Sequence, residues 1–373
     1  MSTPFSGGLA TDVPVTVLMT GAGAPGASGI VRSLRRSSEP DVRIVGVDMD
    51  PQAYGFALVD DFATVPAGDD QEFVPALRDV AQRENADVIL PLTTAELQPL
   101  AANREAFDAT VMVSPTEALA VANDKAALYE FLETEEFASA PAYRRVRSED
   151  AFVEAVEALG YPEQPVCFKP PVASGMRGFR VLEERTDRLT RLFEEKPETA
   201  VTTLPEIRPV LAGADSFPEL VVMEYLPGEE YSVDVLATGD DVGPVVPRSR
   251  ERTRAGITFR GTVERNEDLI AEASAISRRL GLEYNVNIQF RYDAEGTPKV
   301  IEINPRVAGT IVMCVGAGAN LPKLGVQYAL GGEVPPVDVE WGTTMTRYWT
   351  ELFRDPDGER FTVGPEDGGL TGR

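Results

Sequence analysis

Between Val15 and Pro115 the chain alternates short apolar runs with helix-patterned stretches, and this alternation restricts the fold more than any other feature of the 373 residues. VTVLMTG reads as a buried strand that turns through the glycine-rich GAGAPGASG into the helical SGIVRSLRR. A second strand, RIVGVDMD, follows; a helix over 71–83 precedes the strand DVILPL, and one over 95–106 precedes TVMVSP. Repeated strand–helix–strand units predict a doubly wound, Rossmann-like parallel sheet over residues 14–115, with a loose polar tail at 1–13.

Beyond Pro115 the rhythm changes. One helix is expected near 116–134, then strands near 142–147, 165–170, 179–182, 220–226, 230–238, 285–292 and 298–303. Helices at 148–159, 186–195 and 267–281 interrupt them. This predicts an α/β chain whose first domain is followed by two α+β units, 116–220 and 221–350, and by a flexible end at 354–373.

Composition narrows the chemistry. The chain has no histidine, which removes Ser-His-Asp and Cys-His nucleophile systems, histidine general bases and histidine-ligated metals. Cys167 and Cys314 lie far apart and form no CxxC motif, as expected of a reducing cytoplasm rather than a disulfide framework. A formal charge of −25 argues against nucleic acid and anionic membrane as partners. Only five lysines stand against thirty arginines, a balance expected of a surface adapted to high salt. The uncharged run Val13–Val31 holds four glycines and two prolines and reads as neither a membrane span nor a signal peptide.

Several local patterns carry chemistry. Gly21, Gly23 and Gly26 form GxGxxG between strand and helix, and Asp48 ends the next strand 22 residues later. That is a dinucleotide fingerprint, although glycines also serve simply to permit a tight turn and close helix packing. Further on, NVNIQFRY and PKVIEINPR flank DAEGT and predict a hairpin. Glu302 and Asn304 share one of its faces, and Gln289 falls opposite Glu302 to within one residue. A carboxylate with two amide oxygens suits Mg²⁺, which takes the rest of its shell from water and phosphate; the alternative is a solvated edge hairpin. Lys169 ends the strand VCFK just before Ala173-Ser174-Gly175-Met176-Arg177-Gly178, so a strand-end cation precedes a glycine loop able to cradle phosphate. Lys125, in NDK, is a second candidate cation. The segment LVVMEYLPGEEYSVDV breaks two strands at Pro-Gly and places Glu230 where it could accept ribose hydroxyls.

In this order, NDK (123–125), FKP (168–170), ASGMRG (173–178), MEYLPGEEYSVD (223–234), NVNIQF (285–290) and EINPR (302–306) resemble the ATP-grasp superfamily. The likeness is to one synthetase half of the carbamoyl-phosphate synthase large chain and to single-copy carboxylate–amine ligases, over about residues 15–335. The resemblance implies that Lys125 and Lys169 contact ATP phosphates and that Ser174, Gly175, Arg177 and Gly178 close over them. It further implies that Glu224, Tyr225 and Leu226 border adenine and Glu230 the ribose. Gln289, Glu302 and Asn304 would hold Mg²⁺, with Mn²⁺ as an alternative ion, and Arg306 would stabilise the transferring phosphoryl group. The family's first domain is a Rossmann-like pre-ATP domain, usually without a dinucleotide of its own.

The implied activity is an ADP-forming ligase: ATP phosphorylates a small-molecule carboxylate, and an amine attacks the acyl phosphate. Phosphoryl transfer rests on positioning and charge neutralisation, so it needs no histidine. Two departures from carbamoyl-phosphate synthase, a single half and no histidine, together with NPRVAGT after Glu302-Ile303, favour an amino-acid or small-acid ligase over a bicarbonate- or carbamate-phosphorylating enzyme. An NAD(P)-dependent oxidoreductase and a non-catalytic ATP-binding module are the alternatives of other classes, and a homodimer is common in such families. Arg248, Arg250, Arg252, Arg254, Arg260 and Arg265 crowd into eighteen residues. The first four are expected on one strand face, with Arg254 and Arg260 as candidate clamps for a carboxylate or triphosphate.

Overall fold

The computed structural model describes residues 14–36, 41–172, 177–184, 189, 193, 200–239, 241–254, 256–358 and 360–361. Ser174 and Gly175, most of the helix expected over 186–195, and most of both expected tails lie outside these residues.

Strands β1 (Val15–Met19), β2 (Val42–Asp48), β3 (Asp61–Thr64), β4 (Val88–Leu90) and β5 (Thr110–Val111) form an all-parallel sheet in the order β3-β2-β1-β4-β5. This is the expected doubly wound arrangement. Its central strand is apolar on both faces because helices cover both. Val17 and Met19 pack with Ile30 and Leu34 of α1 (Ala27–Arg35), whereas Leu18 packs with Leu77 of α2 (Phe73–Glu84) and Leu97 of α3 (Thr94–Ala102). The edge strand β3 escapes sequence reading because three of its four residues, DFAT, are exposed and show no alternation.

The single helix expected over 116–134 is two helices, α4 (Thr116–Asn123) and α5 (Lys125–Thr134). Asp124 breaks them: its backbone is extended (φ −108°, ψ 112°), and its carboxylate accepts from the amides of Ala126 and Ala127 at 2.8 and 3.1 Å. The aspartate of NDK is thus an N-cap that sets Lys125 at the first position of a helix.

A second sheet runs β6-β10-β7-β8-β9, from β6 (Tyr143–Val146), β7 (Val166–Lys169), β8 (Arg180–Leu182), β9 (Val201–Thr202) and β10 (Leu220–Glu224). Helix α6 (Glu149–Ala158) covers it through Phe152 and Val156. A third sheet, order β12-β11-β15-β16, joins β11 (Glu230–Thr238), β12 (Val242–Ser249), β15 (Glu283–Tyr292) and β16 (Pro298–Asn304). A small sheet of β13 (Arg252–Arg254), β14 (Ile257–Thr262) and β17 (Thr344–Thr346) stands beside it.

The two faces of the third sheet differ in kind. One carries Val233, Val235, Val286, Ile288, Phe290 and Ile303 against Leu128 and Leu132 of α5 and Ile276 of the helix Glu267–Leu280. Each such buried side chain contributes about 1.5–3 kcal/mol. The opposite face is polar over most of its length and turns apolar only at Leu236 and Val246, which join the core of the first domain. After β16 the chain returns to that core through Ile311, Met313, Leu321 and Val326. The docking is close: a Cβ on Gly26 would lie 2.4 Å from the Cα of Gly309, and one on Gly29 would lie 2.3 Å from Val312.

Candidate active site

The polar face is a grid fixed by strand register. Arg250 donates its amide to the Glu230 carbonyl, and Glu230 in turn stands opposite Arg291. The next row runs Arg248, Ser232, Gln289, Glu302. The next pairs Asp234 with Asn287 and Asn287 with Asn304. Gln289 therefore stands directly opposite Glu302, and the three expected metal ligands share one surface.

From outside the sheet the buried Lys125 pairs with Glu302, and the buried Lys169 lies within electrostatic reach of both. Lys169 ends β7 and Lys125 opens α5, each only 5% exposed. The amide of Lys125 donates to the carbonyl of Pro171 at 3.0 Å, which ties the start of α5 to the end of the Lys169 strand. The Lys125 Nζ lies 3.4 Å from Glu302 Oε2. A cation at the first position of a helix opposes the helix dipole, so local structure disfavours it there. Burial and the neighbouring Lys125 push the Lys169 pKa down to about 8, with Glu302 pulling it back up. Burial would raise the Glu302 carboxyl, but Lys125, Lys169 and the Asn304 amide outweigh it and hold the group below the ordinary carboxylate value.

Asn304 is oriented from both ends. Its Nδ2 donates to Glu302 Oε1 at 3.1 Å, and its Oδ1 accepts from Arg306 Nη2 at 3.1 Å. Arg306 also donates to the Val307 carbonyl at 3.1 Å and, from Nε, to Thr94 Oγ1 at 3.4 Å. The first domain thus touches the site through the start of α3, where the capping-box residue Glu96 is buried against Thr20 at 2.5 Å. That burial raises the Glu96 pKa despite bonds from Thr20 and Thr93.

At the other end of the grid, Glu230 forms an ion pair with Arg250 at 2.6 Å. Glu224 accepts from the amide of Ala142 at 2.7 Å, the Tyr225 ring stacks with the Arg291 guanidinium at 5.8 Å, and Leu226 is buried. Gly178 adopts φ +72° where a Cβ would strike the ring of Pro170, so this position requires glycine. Arg177 beside it is exposed.

The arginine segment departs from expectation. Arg248 and Arg250 lie on the polar face, but Arg252 and Arg254 belong to the separate strand β13 and are exposed. Arg254 stacks over Trp349 at 5.9 Å, and the exposed Arg260 pairs with Glu251 at 2.9 Å. Neither reaches the lysines or Glu302. The chain leaves the β12 line after Ser249, so the period-two spacing continues while the strand does not. Arg248 is fully buried with Asp234 at 2.6 Å, and Asp234 also accepts from Asn287 at 2.9 Å.

The dinucleotide fingerprint is spent internally. Asp48 Oδ2 accepts from the Gly23 amide at 2.7 Å, and Gly26 is pressed on Gly309. The acid that would hold a ribose closes its own loop.

Donor chemistry at Glu302 fits a hard cation with phosphate. The described residues contain no group of three or more Asp, Glu, Cys or His side chains able to hold a metal alone. One ionised carboxylate flanked by amides leaves most of a shell to water and phosphate oxygens, as Mg²⁺ prefers.

Over part of its length the chain is similar to ATP-grasp proteins. Residues 216–351 match the family model described as ATP-grasp in the biosynthetic pathway with Ter operon, and residues 17–113 match that of the PylC-like N-terminal domain. The chain is 32% identical over 133 residues to the carbamoyl phosphate synthase large chain of Caldanaerobacter subterraneus subsp. tengcongensis, covering 33% of this chain and 12% of that protein. It is 31% identical over 130 residues to carnosine synthase 1 of Gallus gallus, covering 32% and 14%. Among solved structures, the ADP complex of N5-carboxyaminoimidazole ribonucleotide synthetase superposes with a TM-score of 0.66 at 18% identity, over 90% of this chain and 82% of that one. The L-amino acid ligase of Bacillus licheniformis gives 0.60 at 16%, over 87% and 78%. The MgADP- and bicarbonate-bound biotin carboxylase domain of Hydrogenobacter thermophilus 2-oxoglutarate carboxylase gives 0.63 at 17%, over 88% and 73%.

Proposed function

We propose that the chain is an ADP-forming ligase that phosphorylates a small carboxylate with ATP and passes the acyl group to an amine. The observation that carries this is Glu302 paired with the buried Lys125 and in the field of the buried Lys169, beside Asn304 and Arg306, in a chain of net charge −25. Neighbouring buried cations are costly unless an anion joins them, and a polyphosphate supplies one.

In this reading Lys125 and Lys169 take the phosphates, while Glu224, Tyr225 and Leu226 border the base. Glu230 takes the ribose in exchange for Arg250. Gln289, Glu302 and Asn304 hold Mg²⁺, which when bound neutralises phosphate charge. Arg306 presents its guanidinium where the γ-phosphoryl group crosses. A carboxylate oxygen of the substrate attacks the γ-phosphorus and the bond to the ADP oxygen breaks. The amine then attacks the acyl carbon and inorganic phosphate leaves. No side chain of the protein forms a covalent bond, and the residues act by position and charge.

The test is ADP release with Mg²⁺ against amino acids, dicarboxylates and bicarbonate, with hydroxylamine present. A hydroxamate formed from an organic acid supports the ligase. ADP release with bicarbonate alone would instead favour the carbamate-type chemistry of the synthase relatives, and no turnover with any acid would sink both.

A further inference from the structure

Arg347 lies just past β17, outside every motif that marks the nucleotide site. Its amide donates to the Phe259 carbonyl at 2.7 Å, which fixes its place beside the small sheet. Its half-buried guanidinium donates from Nη2 to the carbonyl of Gly309 at 3.1 Å. A guanidinium carries five N–H donors. Among the described residues Arg347 has no ion pair, although the chain carries 60 acidic side chains. Its charged neighbours are Arg248 and Arg32, with the Tyr54 hydroxyl nearby. Arg248 is already matched to Asp234. A partly desolvated guanidinium among other arginines is unfavourable until an anion arrives.

Its position relative to Arg306 gives the ligand's form. Arg306 is bound to the Val307 carbonyl and Arg347 to the Gly309 carbonyl, and two residues of chain span at most about 7 Å. Gly309 meets Gly26 of the first domain, so Arg347 stands on the first-domain side of the loop. Both guanidiniums thus donate into the short loop 307–309, Arg306 at the Val307 carbonyl and Arg347 at the Gly309 carbonyl.

We infer that Arg347 anchors a second anionic group of the acid substrate, which makes the substrate a dicarboxylate or acidic amino acid rather than a monocarboxylate or bicarbonate. One carboxylate is activated beside Arg306 while the other is held by Arg347 through charge-assisted hydrogen bonds. This deepens the ligase reading and rests on it.

The experiment compares ADP release with succinate, glutarate, aspartate and glutamate against acetate, alanine, glutamine and bicarbonate, in the full chain and in Arg347→Gln and Arg347→Lys. The expected result is a wild-type preference for a dicarboxylate over its monoanionic counterpart. Arg347→Gln raises KM for that dicarboxylate by about 10–100-fold, the value of one charge-assisted pair. KM for ATP stays within about twofold, glutamate is no longer preferred over glutamine, and Arg347→Lys recovers part of the loss. Thermal melting of each variant with MgATP shows whether it still folds and binds nucleotide. Turnover that prefers monoanions, or an unchanged dicarboxylate KM in a folded Arg347→Gln, overturns the anchor and leaves the ligase standing. No ADP release with any acid overturns both.

Discussion

The glycine loop of the first domain and the paired strands β15–β16 begin as equally suggestive sequences, and the structure treats them oppositely. In the loop every distinctive group is consumed by the protein. Asp48 bonds Gly23, Gly26 is pressed on Gly309, and the Tyr54 hydroxyl donates to the Ala24 carbonyl at 2.6 Å. On the hairpin, Glu302 pairs with the buried Lys125 at 3.4 Å and lies in the field of the buried Lys169. A candidate site gathers buried charge of both signs in one place, and a motif whose groups satisfy one another is architecture.

The largest effect should come from the hairpin side. Lys169→Met is predicted to lower kcat/KM for ATP by about 10–100-fold, since a charge-assisted contact is lost. Its melting temperature should not fall, because a buried like charge beside Lys125 is removed. With the Lys169 pKa pushed down to about 8, wild-type kcat/KM should decline as pH rises through that value, and the variant should lack this limb. Stability moves the other way. The folded pKa lies below the unfolded value of 10.5, so the unfolded chain binds more protons between the two and stability rises with pH there. A variant that kept wild-type ATP kinetics would remove Lys169 from the site.

A smaller effect is expected from the loop. Gly26→Ala forces a methyl into Gly309 and should cost about 1–3 kcal/mol of stability, read by denaturant unfolding. Gly23→Ala meets only Asp48 and Ala53, at 3.1 and 3.3 Å, and should cost less. The reverse order would show that the third glycine is not a docking contact. Smallest are Arg254→Ala and Arg260→Ala, which should change ADP-release kinetics by less than about twofold, since exposed charges away from a site contribute little. A large loss in either would bring the small sheet back into catalysis.

Sequence reading recovers the βαβ rhythm because apolar strands covered on both faces look alike anywhere. It also recovers the register that sets Gln289 opposite Glu302, because position through a short turn is countable. It fails where position depends on distant parts of the chain. Arg306 and Thr94 are 212 residues apart, and nothing local announces their contact. Arg347 carries no motif at all. Arg248 and Arg250 show the alternation that puts them on the polar face, but so do Arg252 and Arg254, and only the backbone reveals where the strand ends. The break at Asp124 is legible afterwards as an N-cap, yet 116–134 has enough helical pattern to hide it.

The most direct measurement titrates the wild-type chain and Glu302→Gln with MgATP and with NADH in parallel, by calorimetry. Saturable MgATP binding that the amide variant loses or weakens at least about tenfold, with no heat from NADH, is the predicted outcome. Tight NADH binding, or identical MgATP isotherms for both proteins, would contradict it.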